Sequence, residues 1–130
     1  MPTIFKKIID KEIPAQIIAE DEKYLAFLDI QPLVEGHVLV IPKIEVDYIF
    51  DLDDEILCGL MLFAKKVAKN LKIAIECKRI GVAVIGLEVA HVHIHLVPLK
   101  TMDDINFTRE KLKLSNDELA QIAQRITSKM

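Results

Sequence analysis

The sequence is poor in cysteine: Cys58 and Cys77 are the only two. They form no CxxC and no metal-type pair, so no disulfide framework is expected, which fits a reducing compartment. Cys58 falls inside a helical pattern and reads as a small buried hydrophobe. Clustered bases are missing as well. Lys65, Lys66 and Lys69 are spaced as a solvated helix face, Arg79 stands nearly alone, and the formal net charge is −3. That balance argues against a binder of nucleic-acid polymers, although a single nucleotide needs only a few donors. Long apolar runs are also absent. Nothing approaches the ~20 residues of a membrane span. The opening MPTIFKKIIDKEIP has neither the apolar core nor the cleavage site of a secretory leader. No membrane partner is expected, and the chain reads as cytoplasmic.

What is there is an ordinary globular composition, 52% apolar and 28% charged. The 130 residues carry no repeat, low-complexity tract or linker. One domain over 1–130 is expected, with a core over about 3–99 and a helical tail over about 100–130. Thr3 can cap a short helix in which Ile4, Ile8 and Phe5, Ile9 stand at helical spacing, stopped near Pro14. AQIIAEDE and KYLAFLDI read as two strands joined by a turn at Glu20–Lys23. After a loop punctuated by Pro32 and Gly36, GHVLVIPK is a nearly continuous β-branched run, typical of a buried central strand.

The clearest helix runs from Asp51 to Leu71. Asp51 or Asp53 caps it, and Ile56, Leu60, Phe63, Ala64, Val67 and Leu71 form its apolar face. RIGVAVIG and LEVAHVHIHLVPL read as two further strands with Gly86 at the break. A second helix starts near Asn116, where Ser115 and Glu118 make a capping box and Leu119, Ile122, Ala123 and Ile126 face inward. The segment from Met102 to Leu114 shows no clear pattern. The sum is an α+β domain, a five-stranded antiparallel sheet with two main helices.

The chain has four histidines, and three fall at every second position of AHVHIHLVPL, residues 90–99. In a strand, His91, His93 and His95 share one face, while Val92, Ile94 and Leu96 share the other. A plain solvent face would use Thr, Lys, Glu or Ser, and none occurs in the triplet. A metal could take two of these imidazoles plus a carboxylate or His37. Ligation by all three from one straight strand is harder, because the outer pair is rooted ~13 Å apart. The third reading is nucleophilic catalysis, and it is preferred. A neutral imidazole attacks phosphorus, its other nitrogen being held by an acceptor, and flanking donors take the charge on the phosphoryl oxygens. By strand geometry the central His93 is the best candidate for the nucleophile, with His91 and His95 flanking it.

The run from His91 to Val97 resembles the histidine triad pattern, His-φ-His-φ-His-φ-φ with φ apolar, at every position. Thr3–Pro14, Ala26–Ile30 and Pro32–Lys43 are similar to the N-terminal helix and the next strands of the nucleotide-hydrolysing branch of that family. The resemblance implies a metal-free hydrolase or phosphoramidase without cofactor. It would act on nucleoside phosphoramidates or dinucleoside polyphosphates and work as a homodimer on purine nucleotides. By position, His93 matches the nucleophile, His91 and His95 the flanking pair, and His37 a histidine behind the site. Asp29 matches the acid that holds the ribose hydroxyls. Ile4, Phe5, Ile8, Phe27, Ile30 and Leu39 match the apolar slot for the base.

The sequence departs from that pattern at Gly81–Ala90, which is short and lacks Asn, Ser and Gln. Main-chain N–H groups around Gly86, Glu88 and Val89 are then the expected phosphate donors. The same departure motivates an alternative, a nucleotide-binding protein without catalysis. A histidine-ligated metal protein is a further alternative.

Overall fold

The computed structural model describes residues 2–130. Five strands form one antiparallel sheet in the order β1-β2-β3-β5-β4. Helix α1 (Ile4–Ile9) is capped by Thr3, whose hydroxyl accepts from the Lys6 N–H at 3.2 Å. β1 (Ile17–Glu20) and β2 (Tyr24–Leu28) form the expected hairpin. Asp21 closes its turn by accepting from the backbone N–H of Lys23 and of Tyr24. β3 (Val38–Pro42) is central, as its apolar run predicts. Helix α2 (Asp54–Ala74) begins three residues later than expected, because Ile49–Asp51 form a separate 3₁₀ turn and Asp53 is the cap. β4 (Arg79–Ala83) and β5 (Ile94–Leu99) follow, and α3 (Asn116–Thr127) starts at the Ser115–Glu118 capping box.

The sheet is covered on both faces, which is why every residue of β2 and β3 is buried. Tyr24, Ala26 and Leu28, with Val38 and Val40, and Val92, Ile94 and Leu96, pack under α2 and α3. The inner face of α3, Leu119, Ile122, Ala123 and Ile126, completes that core as its spacing predicts. Side chains of opposite parity, Leu25, Phe27, Leu39 and Ile41, form a second cluster with Phe5 and Ile8 of α1. The odd-numbered positions of the central strands therefore face α1.

Two further expectations are corrected. Cys58 is exposed, not buried. It lies with Met61, Leu62 and Lys65 on the outer side of α2, while Leu60, Ala64 and Val67 take the inner side. The last strand begins at Ile94 rather than Leu87. Its pairing with β3 ends at Val40–Ile94. Beyond that point Pro42 has no N–H to give, and its carbonyl accepts from His91 Nε2 instead of a strand partner. The chain from 87 to 93 is therefore irregular, pinned by the Val92 N–H donating to the Val46 carbonyl at 2.8 Å.

Candidate active site

Strand register brings the four histidines together. Leu39 lies opposite His95 across β3 and β5, so His37 is the diagonal neighbour of His95 on the same face. Asp29 extends the β2–β3 ladder by donating its N–H to the His37 carbonyl at 3.0 Å. His91 and His93 precede β5, yet the alternation persists: Val92 sits in the opposite core and both rings face Phe5, at 6.1 and 5.0 Å between centroids. The rings of His93 and His95 are 4.9 Å apart. All four histidines are buried.

The hydrogen bonds settle which nitrogen carries each proton. The Leu33 N–H donates to His37 Nδ1 at 3.0 Å, so that nitrogen is an acceptor. Burial, and then the charges of His95, Lys111 and His93, push the His37 pKa down to about 3. The ring is thus neutral, and its proton sits on Nε2. It donates to His95 Nδ1 at 2.9 Å. His95 is held neutral in the same way, at about 4, by burial and then by His93 and Lys111. Its own proton is left on Nε2.

His93 has the opposite polarity. Its Nδ1 is 2.7 Å from the His91 carbonyl, an acceptor, so Nδ1–H donates. In the neutral imidazole this leaves a lone pair on Nε2. His91 donates from Nε2 to the Pro42 carbonyl at 2.8 Å, and its buried Nδ1 has no partner among the described residues. Burial lowers the His91 pKa, although the Pro42 carbonyl works against the shift.

Asp29 Oδ1 accepts the Gln31 N–H at 2.9 Å. Its other oxygen is 3.8 Å from His37 Nε2, but a neutral imidazole makes this a polar contact rather than an ion pair. Burial raises the Asp29 pKa, against the opposing Gln31 N–H and Lys111 charge. Asp29, His37 and His95 also present three possible metal ligand atoms within 4.8 Å of one another. An ion there would have to displace the proton shared by His37 and His95. This set contains one triad histidine, not the two expected of a metal centre.

The residues expected to form the base slot divide. Phe5, Ile8, Phe27 and Leu39 pack into one buried cluster, with Val89 against it. Ile4 and Ile30 are exposed, Ile30 by 61%. Gly86 turns the connection at φ +74°, and Glu88 is exposed. Sequence reasoning missed the segment after β5. The Phe107 ring packs T-shaped against His95 at 4.7 Å and against His37 at 6.2 Å between centroids. The Lys111 ammonium acts on Asp29, His37 and His95 alike. One signal was legible, the Thr101-x-x-Asp104 spacing of a cap: Asp104 Oδ2 accepts from the Thr101 N–H at 2.9 Å.

Known proteins share this fold. Residues 10–102 match the HIT domain. An uncharacterized HIT-like protein of Borreliella burgdorferi is 35% identical over 132 aligned residues, covering 95% of each chain. An adenosine 5′-monophosphoramidase of Saccharomyces cerevisiae is 43% identical over 96 residues, covering 73% of this chain and 61% of that one. A crystal structure of a Hit-like protein from Bartonella henselae, described as involved in cell-cycle regulation, superposes with a TM-score of 0.85. It is 31% identical and covers 98% of this chain and 96% of its own. The alternating histidines, the sheet that presents them and these matches place the chain in the HIT, or histidine triad, family.

Proposed function

We propose that the protein is a nucleotide hydrolase or phosphoramidase that works through a covalent nucleotidyl intermediate on His93. One observation carries the reading: the His93 Nδ1–H is tied to the His91 carbonyl, which leaves Nε2 free as a nucleophile. The Nε2 lone pair attacks the α-phosphorus of a nucleoside 5′-phosphoramidate or dinucleoside polyphosphate. The bond to the leaving amine or phosphate breaks, and that group departs with the electron pair, the amine taking a proton from solvent. Water then attacks the phosphorus and gives up a proton to solvent, the P–Nε2 bond breaks with its electron pair returning to Nε2, and the nucleoside monophosphate leaves. His95 Nε2–H is a preset donor for a phosphoryl oxygen, joined by main-chain N–H groups around Gly86, Glu88 and Val89. Asp29 takes the ribose hydroxyls, and the cluster of Phe5, Ile8, Phe27 and Leu39, with Ile4 and Ile30, takes a purine.

The chemistry needs no metal. A second copy of the chain is the proposed partner, since edge strand β4 and its extension expose Val82, Val84, Ile85 and Leu87. No described helix is long and apolar enough to cross a membrane, and the cytoplasm is the proposed location. A non-catalytic nucleotide binder is the rival reading, favoured by a connection over 84–90 with no side-chain hydrogen-bond donor.

The test is a single turnover of adenosine 5′-phosphoramidate with chelator present, followed by intact mass. Wild type should gain a transient AMP adduct and release AMP. His93→Ala should lose turnover by about 10³-fold or more and still bind AMP. AMP binding with no adduct and no turnover would establish the binding protein instead.

A further inference from the structure

The connection before the triad offers no side-chain donor, and the chain after β5 supplies a cation. The segment 107–112 is stitched onto the loop that orders the histidines. Leu112 N–H donates to the Pro32 carbonyl at 2.8 Å, and Arg109 Nη2 donates to the Leu33 carbonyl at 2.5 Å. Leu33 is the residue whose N–H fixes His37. Arg109 is itself braced by Asp103 and Asp104. This frame holds Lys111 half-buried. Its Nζ donates to the Phe107 carbonyl at 2.7 Å and to the Arg109 carbonyl at 3.3 Å.

An ammonium has three N–H donors, and two carbonyls do not neutralise it. Among the described residues Lys111 makes no ion pair, and its charge lowers the Asp29 pKa against the larger effect of burial. A partly buried cation without a counter-ion, bonded to the carbonyl of the residue whose ring packs on His95, suits an anionic ligand. Phe107, packed T-shaped against His95, keeps the segment against the site.

We propose that Lys111 binds the phosphate of the nucleotide, sharing its oxygens with His95 Nε2–H and replacing the side-chain donors absent from residues 84–90. The inference rests on the nucleotide reading above. It makes the segment after β5 part of the binding site rather than a tail, and it assigns to Lys111 the preference for a phosphorylated ligand over its nucleoside.

The test compares AMP with adenosine by calorimetry in wild type, Lys111→Met and Lys111→Arg. Lys111→Met should weaken AMP binding by about ten- to a hundredfold, the value of a hydrogen bond to a charged group. Adenosine affinity should stay within about twofold, which also shows that the variant is folded, and Lys111→Arg should recover part of the AMP loss. Equal loss for AMP and adenosine would make Lys111 a packing residue and overturn the proposal. Unchanged AMP affinity in Lys111→Met would do the same while leaving the nucleotide reading intact. A wild type that binds neither ligand would overturn both.

Discussion

His37 Nε2 donates to His95 Nδ1 across 2.9 Å, and this bond decides which face of His95 carries a proton. The order starts at a backbone group, the Leu33 N–H, and passes through two neutral rings to His95 Nε2. His37 is thus a positioning residue. In His37→Ala the His95 ring is free to place its proton on Nδ1, and the proposed donor to the phosphoryl oxygen is lost. The expected result is a fall in kcat of about 10²–10³-fold, the cost of removing one such donor. Nitrogen-15 shifts of the ring separate this from general damage: His95 should report a protonated Nε2 in wild type and mixed tautomers in the variant. His37→Gln, whose amide can donate, should recover part of the rate. An unchanged His95 signal in His37→Ala would remove His37 from this role.

The buried histidines also govern acid stability. His37, His95 and His91 all have folded pKa values below the ordinary one. In the unfolded chain they take up protons near pH ~6.5, whereas the folded chain resists until about 4 for His95 and about 3 for His37. Unfolding therefore binds protons in that window. Stability is complete above the unfolded value and declines as pH falls toward the folded ones. Each histidine adds a slope approaching ~1.4 kcal/mol per pH unit. Denaturant melts from about pH 8 to pH 5 isolate the effect, since most carboxylates titrate lower. The midpoint should hold down to about pH 7 and then drop, with a shallower fall in His37→Gln. A midpoint that stays level to about pH 5 would contradict the burial argument.

How much of this was legible in the sequence depends on the range of the interaction. The capping box at Ser115 and the inner face of α3 are local patterns, and both were readable. So was the shared face of the triad, because side-chain parity survives even where the ladder does not. The start of β5 was not readable, since it depends on Pro42, a residue 52 positions before Ile94, having no N–H to offer. Cys58 was misplaced because a helix that is apolar on more than one side does not announce which side faces in. Met61 and Leu62 are exposed beside it. Phe107 and Lys111 were invisible for the same reason as Pro42: their segment is placed by Arg109 and Leu112, which bond a loop some 75 to 80 residues earlier.

The exposed edge yields a prediction about assembly. Val82, Val84 and Leu87 lie along or just beyond β4, and an apolar edge strand that met only water would be open to non-specific pairing. A second copy pairing there would cover it. Val84→Asp puts a charge into that contact without touching the core, so it should convert a dimer to a monomer at micromolar concentration. Light scattering reads the mass directly. A monomeric wild type, or a Val84→Asp variant with the wild-type mass, would exclude this edge as the interface.

Asp29 should show opposite effects on stability and binding. Its folded pKa is raised, chiefly by burial, so its contribution favours the folded state at low pH and is lost as pH rises through the folded value. At neutral pH the ionised carboxylate is a burden on the fold. Asp29→Asn keeps the shape and can keep the bond from the Gln31 N–H, while removing the charge. The thermal midpoint of the variant should exceed wild type at about pH 7 and converge with it near pH 3, where the carboxyl is protonated in both states. Binding should move the other way. If Asp29 holds the ribose diol, wild type should prefer adenosine to 2′,3′-dideoxyadenosine by about tenfold or more, and Asp29→Asn should lose most of that preference. Equal affinity of wild type for the two nucleosides would take the ribose away from Asp29 and leave it a polar neighbour of His37. A site residue kept for its ligand at the expense of the fold would instead show both shifts, with opposite signs, in the same variant.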